Sequence, residues 1–336
     1  MKIVADRLIP GLREGIEVLH PDADLVLLEG REIGPADVRD ADALIVRTRT
    51  LCDASLLEGS AVRLVGSATI GTDHIDIPWC EAHGIRVVNA PGCNAPAVMQ
   101  YVAASLAAAG FDPSSHTLGV VGKGNIGSLV VELYRRAGGK VLVCDPPRQD
   151  AGFNDEDYLS LEQLLANSDA VTFHVPYTLH GPYPTHHLLS GMLPPRPSVI
   201  VNASRGPVIH RDTIEREWGC RRFIIDTWPF EEYPDEFTPV ERARLIEGAF
   251  IATPHIAGYS IEGKRRATQA MLAALEGKDC DYMDEVKAAA TIPLNEVIDS
   301  FSPLEVSKQL KSNPEAFERL RAAHLRPEPK KLKNKK

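Results

Sequence analysis

The sequence predicts an α/β protein of two lobes, each built on a doubly wound parallel sheet, followed by a short C-terminal extension. Three observations support this fold class. Strand-like and helical runs alternate over about the first 90 residues, the alternation resumes over residues 117–254, and a glycine-rich turn near residue 122 joins a strand-like run to a helical one. With 336 residues and 44% hydrophobic content, the chain is long enough for two or three domains with apolar cores.

The N-terminal lobe is predicted from short apolar runs separated by amphipathic ones. Strands are expected at residues 2–5, 24–28, 43–46 and 64–67, with helices at residues 11–19 and 35–39. The run Ala90–Pro91–Gly92 interrupts this pattern, and a long helix is expected to begin near Pro96. We therefore place the first domain boundary at residue 93.

The run LGVVGKGNIGSLVVEL contains Gly122, Gly124 and Gly127 between a predicted strand at residues 118–121 and a predicted helix at residues 126–137. Glycines with this spacing permit a tight turn, a close approach of a pyrophosphate to the backbone, and close packing of the helix on the strand. The free N–H groups at the start of the helix also favour a phosphate. The sequence therefore predicts a Rossmann-like nucleotide-binding unit.

Asp145 follows the next predicted strand, at residues 140–144. A carboxylate in this position can bind the adenosine ribose hydroxyls, and it repels a 2′-phosphate. The predicted cofactor is therefore NAD rather than NADP. Lys123, between two of the glycines, either reaches a phosphate or points into solvent.

Further strand-like runs continue the second lobe, and the chain then returns to the first. Strands are expected at residues 169–175, 198–202, 222–226 and 249–252, with helices at residues 161–166, 212–218 and 261–275. The predicted domains are a substrate-binding domain of residues 1–93 and 259–285, a nucleotide-binding domain of residues 94–258, a small third element of residues 286–325, and a disordered basic tail of residues 326–336.

Charge and composition exclude several classes of protein. The net charge is −9, although residues 326–336 carry six Lys or Arg and one Glu, and this balance argues against general nucleic-acid binding. The six cysteines show no CxxC spacing, so we expect reduced thiols and no metal site. No signal peptide or membrane-spanning run is visible, and a cytoplasmic location is expected.

Three residues after predicted strands can carry chemistry: Arg205, Glu231 and His255. The carboxyl ends of parallel strands converge on one crevice. Histidine suits the transfer of a hydroxyl proton near neutral pH, a carboxylate can orient the imidazole, and arginine can bind a substrate carboxylate through two hydrogen bonds. Glu232 adjoins Glu231 and is an alternative partner for the histidine.

Four runs together resemble the D-isomer-specific 2-hydroxyacid dehydrogenase family. They are the glycine-rich turn, NASRG at 202–206, Asp-x-Trp at 226–228 and PHIAG at 254–258. Five longer segments resemble a subgroup that oxidises 4-phospho-D-erythronate in vitamin B6 biosynthesis: ATIGTDHID (68–76), APGCNAPAV (90–98), CDPPR (144–148), HGPYPTHHL (180–188) and PHIAGYSIEGKRRAT (254–268).

The resemblance implies a role for each matching residue. Arg205 would bind the substrate carboxylate, His255 would be the acid and base, and Glu231 would be its partner. The implied cofactor-binding residues are Gly122, Gly124, Asn125, Ile126, Gly127, Asp145, His174, Val175, Ala203, Ser204, Asp226 and Gly258. The implied substrate-binding residues are Arg47, Thr48, Thr69 and Tyr259, with Lys264 and Arg265 as further candidates for a phosphate.

The resemblance also implies a homodimer, although the dimerisation domain of the subgroup looks truncated here and residues 286–325 would be only part of it. The expected reaction is the NAD-dependent oxidation of a small phosphorylated 2-hydroxy acid, 4-phospho-D-erythronate. Two alternatives stay open: a dehydrogenase for another D-2-hydroxy acid of the glycerate or 3-phosphoglycerate type, and a non-enzymatic protein that senses NAD(H). No nucleic-acid or membrane partner is expected.

Overall fold

The computed structural model describes residues 1–330 and divides into two compact units. Unit 1 consists of Met1–Asn94 and Ser260–Val286, and unit 2 consists of Ala95–Tyr259 and the described residues from Lys287 onward. Each of the three joints between the units lies one residue later than the predicted one.

Unit 1 contains a five-stranded, all-parallel sheet in the order β2-β1-β3-β4-β5. Its strands are β1 (Lys2–Asp6), β2 (Asp24–Leu28), β3 (Ala43–Val46), β4 (Leu64–Ser67) and β5 (Arg86–Val88). Its helices are α1 (Leu12–Leu19), α2 (Pro35–Val38), α3 (Ala54–Leu57), α4 (Ile77–Ala82) and α12 (Ile261–Leu275). The two-sided burial of β3 and β4 reflects helices on both faces of the sheet.

Unit 2 contains a six-stranded, all-parallel sheet in the order β11-β10-β9-β8-β6-β7. Its strands are β6 (Thr117–Val121), β7 (Lys140–Cys144), β8 (Ala170–Phe173), β9 (Val199–Asn202), β10 (Arg222–Ile225) and β11 (Ile251–Ala252). Its helices up to residue 248 are α5 (Ala95–Ala108), α6 (Asn125–Arg136), α7 (Pro146–Asp150), α8 (Leu161–Asn167), α9 (Arg211–Glu217), α10 (Pro229–Glu232) and α11 (Pro239–Gly248). The predicted α/β class with two parallel sheets is confirmed.

Helix α6 shows why the glycine-rich run folds as it does. Leu129, Val130 and Leu133 recur at helical spacing and are buried, so the helix presents one apolar face to the sheet. Gly124 precedes the helix without a side-chain cap, which leaves the first backbone N–H groups of the helix available. The turn that carries the glycines is therefore fixed by the strand on one side and by the buried helix on the other.

The segment after residue 286 differs from the prediction. Helix α13 (Met283–Ala288) is followed by α14 (Leu294–Asp299), α15 (Pro303–Ser312) and α16 (Phe317–Ala323), and the described residues from Lys287 onward belong to unit 2 instead of forming a third element. Leu310 of α15 and Phe317 of α16 join the apolar core of unit 2. Apolar burial thus attaches a segment whose sequence shows little periodicity.

The predicted disordered tail is wrong for residues 326–330. Arg326 is only 6% exposed, and its guanidinium donates to the carbonyl oxygens of Ala97 (2.8 Å), Ile256 (2.8 Å) and Ala257 (2.6 Å). Composition alone suggests a solvated end, because the acceptors that bind this cation lie far away in sequence. The remainder of the predicted tail, residues 331–336, lies outside the described residues.

Within residues 1–330, no helix is long and apolar enough to cross a membrane.

Candidate active site

The glycine turn after β6 is built from close backbone contacts. Gly122 has φ +87°, and a Cβ atom there would lie 2.5 Å from the carbonyl oxygen of His174. A Cβ atom on Gly127 would lie 1.9 Å from the carbonyl oxygen of Gly122. At Gly124, by contrast, a Cβ atom would meet nothing within 4 Å. The first and third glycines are therefore required by packing, and the second faces open space at the start of α6.

The turn lies where the strand order reverses. Strand β7 pairs on one side of β6 and β8 on the other, so the chain leaves β6 toward one edge of the sheet and later returns to its opposite side. Ligands in open α/β sheets bind beyond the carboxyl ends of strands at such a point. The sheet topology and the glycine turn thus indicate the same site.

Asp145 follows β7 and is held by the backbone on both sides. Its carboxylate accepts the N–H of Lys123 at 2.7 Å and the N–H of Arg148 at 3.1 Å. The ammonium of Lys123 does not stay in solvent, because it pairs with Asp155 at 2.8 Å and with Glu156 at 2.5 Å. The cation inside the glycine turn is therefore neutralised by two carboxylates.

His174 directly follows β8, and its backbone carbonyl oxygen lies against Gly122 of the glycine turn. Burial lowers the pKa of His174 to about 3, so the ring is neutral. Its Nε2 atom lies 3.1 Å from the Thr172 hydroxyl, and its buried Nδ1 atom has no partner. An unpartnered buried ring nitrogen is a polar atom that a ligand can satisfy. Val175 follows it and also lies against Gly122.

His255 and Glu231 form a direct pair. The Nδ1 atom of His255 lies 2.8 Å from Oε2 of Glu231, and the carboxylate also accepts the backbone N–H of Trp228 at 2.9 Å through Oε1. His255 has φ 55°, and its N–H donates to the carbonyl oxygen of Asp226 at 2.8 Å. Of the two adjacent glutamates, Glu231 is the one that contacts the histidine.

Glu232 occupies a different environment. Burial, and then the neighbouring charge of Glu231, raise the pKa of Glu232 to about 7, against the opposing influence of His255 and Arg205. Its buried Oε2 atom has no hydrogen-bond partner. Glu232 is thus a second titratable group near the histidine, without a hydrogen bond to it.

Asp226 fixes the loop that carries His255. It is fully buried, and its carboxylate accepts the hydroxyl of Thr253 (2.6 Å) and the N–H groups of Ile256 and Ala257 (2.8 Å each). Three donors of its own chain therefore surround a residue for which a cofactor contact is predicted. The geometry gives Asp226 a structural function, and its cofactor contact stays a prediction.

Arg205 follows β9 in a turn that Asn202 organises. The Asn202 side chain accepts the N–H of Ser204 at 3.1 Å and donates to the carbonyl oxygen of Arg205 at 2.9 Å. Ala203 and Ser204 are buried beside it. Strands β9, β10 and β11 are neighbours in the parallel sheet, so the segments bearing Arg205, Glu231 and His255 leave the same edge.

In unit 1, Arg47, Thr48 and Thr69 follow β3 and β4 at the carboxyl edge of the sheet, whereas Lys264 and Arg265 lie in α12. Arg47 follows β3, and its guanidinium pairs with the buried carboxylate of Asp6 at 2.9 Å. Thr48 is exposed, and the hydroxyl of Thr69 lies 2.6 Å from that of Ser67. Lys264 lies near Arg47, and burial together with this like charge lowers the pKa of Lys264.

Sequence reasoning missed Arg321. This residue of α16 donates through Nη1 to Oε2 of Glu231 at 3.2 Å and through Nε to the hydroxyl of Tyr259 at 3.0 Å. Phe317, Leu320 and the charges around them do suggest a helix, but nothing in the sequence places that helix against residue 231.

Gly258 precedes Tyr259 in the turn after His255, in which the N–H of Tyr259 donates to the carbonyl oxygen of Ile256 at 2.9 Å.

Comparison with known proteins identifies the family of the chain. The family profile described as "D-isomer specific 2-hydroxyacid dehydrogenase, catalytic domain" matches residues 17–302. The chain belongs to the D-isomer-specific 2-hydroxyacid dehydrogenase family. It is therefore an enzyme of the dehydrogenase type, as the resemblance in the sequence suggested.

Within this family, the chain is 37% identical to an erythronate-4-phosphate dehydrogenase of Bacteroides thetaiotaomicron, over 96% of this chain and 95% of the relative. It is 38% identical to the enzyme of the same name from Pseudomonas syringae pv. syringae, over 89% of this chain and 76% of the relative. Among solved structures, the D-lactate dehydrogenase of Aquifex aeolicus, complexed with NAD and lactic acid, superposes with a TM-score of 0.64. It is 22% identical, and the match covers 82% of this chain and 95% of that one.

Proposed function

We propose that this dehydrogenase oxidises 4-phospho-D-erythronate at C2 with NAD⁺, yielding 2-oxo-3-hydroxy-4-phosphobutanoate in the biosynthesis of pyridoxal 5′-phosphate. The observation that carries the proposal is the 2.8 Å contact between His255 Nδ1 and Glu231 Oε2 at the carboxyl edge of a parallel sheet. The relatives named erythronate-4-phosphate dehydrogenase support the choice of substrate. A cytoplasmic homodimer is part of the proposal on the strength of the resemblance alone.

The residues after β6 fit a dinucleotide. The open backbone at Gly124, with Asn125 and Ile126 starting α6, would hold the pyrophosphate, and Asp145 would accept the ribose hydroxyls. Gly122, whose N–H donates to the carbonyl oxygen of Cys144 at 2.8 Å, would shape the turn around the cofactor. The unpartnered Nδ1 atom of His174 is the observation that favours a polar ligand here. When bound, NAD⁺ supplies the acceptor for the hydride that leaves C2.

His255 would act as the base. With Nδ1–H donating to Glu231, the lone pair of Nε2 is left to take the proton of the C2 hydroxyl as that carbon loses its hydride. The carboxylate stabilises the imidazolium that forms. In the reverse direction, the same nitrogen returns the proton to the carbonyl oxygen.

Arg205 would bind the substrate carboxylate, because a guanidinium can form two parallel hydrogen bonds with it. For the phosphate, the two like charges of Arg47 and Lys264 in unit 1 favour an anion. Arg265 is a weaker candidate, since it pairs with Glu285 at 2.5 Å. Thr48, Thr69 and Tyr259 would supply neutral hydrogen bonds.

The proposal is tested by following NADH oxidation with 2-oxo-3-hydroxy-4-phosphobutanoate, hydroxypyruvate and 3-phosphohydroxypyruvate. We expect the four-carbon phosphate to have the highest kcat/KM. His255→Asn should lower kcat by about 10³-fold, because asparagine tolerates the left-handed backbone but cannot transfer the proton. His83→Asn, at an exposed histidine of unit 1, is the control.

Other outcomes reassign the function. A higher kcat/KM with either three-carbon acid would overturn the choice of substrate and leave a general D-2-hydroxyacid dehydrogenase. Tight NADH binding without turnover of any of the three would favour a sensor of NAD(H). Full activity of His255→Asn would overturn the assignment of the base.

A further inference from the structure

Helix α16 brings a cation to the carboxylate of the histidine pair. The guanidinium of Arg321, 17% exposed, lies 3.2 Å from Oε2 of Glu231, the same oxygen that lies 2.8 Å from His255 Nδ1. Its Nε atom donates to the hydroxyl of Tyr259 at 3.0 Å. One carboxylate oxygen is therefore shared between the histidine and an arginine from the far end of the described chain.

This contact is built into the core of unit 2. The ring of Phe317, in the first turn of α16, packs edge-on against Phe230, with ring centroids 5.5 Å apart, and Phe230 immediately precedes Glu231. Arg326, three residues after α16, binds the carbonyl oxygens of Ile256 and Ala257 in the loop of His255. The helix bearing Arg321 is thus attached on one side to Phe230 and on the other to the residues after His255.

The charge of Arg321 matters most when His255 is neutral. Burial opposes the ionisation of Glu231, but His255 and Arg321 together hold the pKa of its carboxyl below the usual value. A neutral imidazole no longer contributes a positive charge. In that state, Arg321 is the cation in contact with the carboxylate, and the pair must be in that state to accept a proton.

We propose that Arg321 is a positioning residue of the catalytic pair, which keeps Glu231 ionised, and Nδ1–H of His255 directed at it, while the imidazole carries no charge. The proposal rests on the proposed role of His255 as the base. Tyr259 is tied to the same guanidinium, so Arg321 also couples the turn after His255 to the carboxylate.

Several charged groups surround the pair and contribute to its titration. Glu231 faces His255, Arg321 and the neighbouring Glu232, and Glu232 in turn is influenced by Arg205. Arg321 also faces Tyr259 and, at 3.6 Å, the exposed Glu318 of its own helix. Only Arg321 among these is changed in the test.

The test compares Arg321→Met, Arg321→Lys and Arg319→Met. Methionine keeps the apolar part of the side chain and removes the charge. Lysine keeps the charge but lacks the planar guanidinium with its several N–H donors. Arg319 is an exposed residue of α16 and serves as the control. We expect Arg321→Met to lower kcat for alcohol oxidation by about 10-fold, with KM changed by less than about 3-fold. Arg319→Met should resemble the wild type.

The pH profile separates positioning from packing. Removing a cation makes protonation of the pair easier, so the acid limb of kcat/KM should move to higher pH by about one unit in Arg321→Met. In Arg321→Lys, the acid limb should lie close to its wild-type position, because the positive charge is kept. The proposal would be overturned if the acid limb of Arg321→Met did not move, or if Arg321→Lys lost as much kcat as Arg321→Met. It would also be overturned if the substitutions changed KM alone.

A second readout does not depend on turnover. The imidazole resonances of His255, followed by NMR in the ligand-free protein, should titrate with a midpoint at higher pH in Arg321→Met than in the wild type. A midpoint that does not move overturns the inference about Arg321 even if the enzyme is active. Conversely, a displaced midpoint in a protein that turns over none of the substrates would support the inference and overturn the proposed reaction.

Discussion

The first five strands of each unit are arranged in the same order, but the residues at the point where that order reverses differ in kind between the two units. In unit 1 the order reverses at β1, and the strand ends beside it present a buried carboxylate, Asp6, paired with Arg47. In unit 2 the order reverses at β6, and the strand end leads into a glycine turn in which the backbone of Gly124 faces open space. A doubly wound sheet therefore determines where a ligand can bind, whereas the residues after the strands determine its chemistry.

The difference has a physical origin. In unit 2 a turn tight enough to leave the first N–H groups of α6 open to a phosphate has no room for Cβ atoms at Gly122 and Gly127, so this unit needs glycine at fixed positions. A side-chain cation reaches its anion from a distance, so unit 1 tolerates bulk but must keep its charges paired until the anion arrives. The crevice of unit 2 should therefore be sensitive to added volume, and the crevice of unit 1 should be sensitive to the removal of charge.

Among the variants that compare the two units, the largest effect is expected when volume is added to the glycine turn. Gly127→Ala places a Cβ atom 1.9 Å from the carbonyl oxygen of Gly122, and backbone cannot yield cheaply there. The affinity for NADH should fall by about 10–100-fold, measured by fluorescence titration. Gly219→Ala is the matched control, because a Cβ atom at that exposed position meets nothing within 4 Å. Equal affinities in the two variants would show that the turn can relax.

Removal of charge from unit 1 should act on the substrate alone. Lys264→Met is expected to raise KM for the phosphorylated substrate by about 10-fold, because a charge-assisted hydrogen bond is lost, and to leave NADH affinity unchanged. Steady-state kinetics measure the first quantity and fluorescence titration the second. Lys278→Met, at an exposed lysine paired with Glu276, serves as control. A larger effect from Arg265→Met would transfer the role to that residue.

A smaller effect is expected on the stability of the folded protein when the carboxyl group of Glu232 or of Asp6 is replaced by an amide. The raised pKa of Glu232, about 7, means that the folded protein holds this proton more tightly than the unfolded chain does. The contribution of Glu232 to the free energy of unfolding should therefore decline as pH rises from 4.5 through 7. Glu232→Gln should raise the free energy of unfolding by about 1–2 kcal/mol at pH 8.5 and leave it nearly unchanged at pH 5.

In unit 1, the corresponding substitution of a buried carboxyl group is expected to destabilise the protein instead of stabilising it. Asp6→Asn removes a carboxylate that accepts Arg47 at 2.9 Å and the N–H of Leu8 at 2.9 Å, so it should destabilise the protein at both pH values. Thermal unfolding at pH 5 and pH 8.5 compares the two variants directly. Stabilisation by both, or by neither, would contradict the contrast between a paired and an unpaired buried carboxyl.

Where the pattern was local, the sequence predicted the structure well. The bounds of β7 and α12 coincide with the predicted ones, and the glycine spacing located the turn after β6. Helices α10 and α11, in the charged stretch after Trp228, were not predicted, since their apolar positions lack helical spacing. The start of α11 does carry a local signal, a capping box of Thr238 and Glu241 with Pro239 at the first helical position, which the apolar spacing alone does not detect.

The residues of the candidate site also fall into those that local sequence patterns predict and those that depend on distant contacts. Arg205, Glu231 and His255 could be proposed because each follows a strand, and a parallel sheet gathers such positions. Sequence could not choose between Glu231 and Glu232, which differ only in the direction in which a short helix points them. Nor could it find Arg321 or the burial of Arg326, since both depend on where α16 packs.

The backbone conformation of His255 affects which residues can replace it during evolution. His255 adopts φ 55°, a conformation that glycine or asparagine enters with less strain, at a difference of about 1 kcal/mol. The backbone at this position therefore favours residues that cannot do the chemistry. A population selected for thermal robustness alone would drift away from histidine here, and its persistence in a lineage would record selection for turnover.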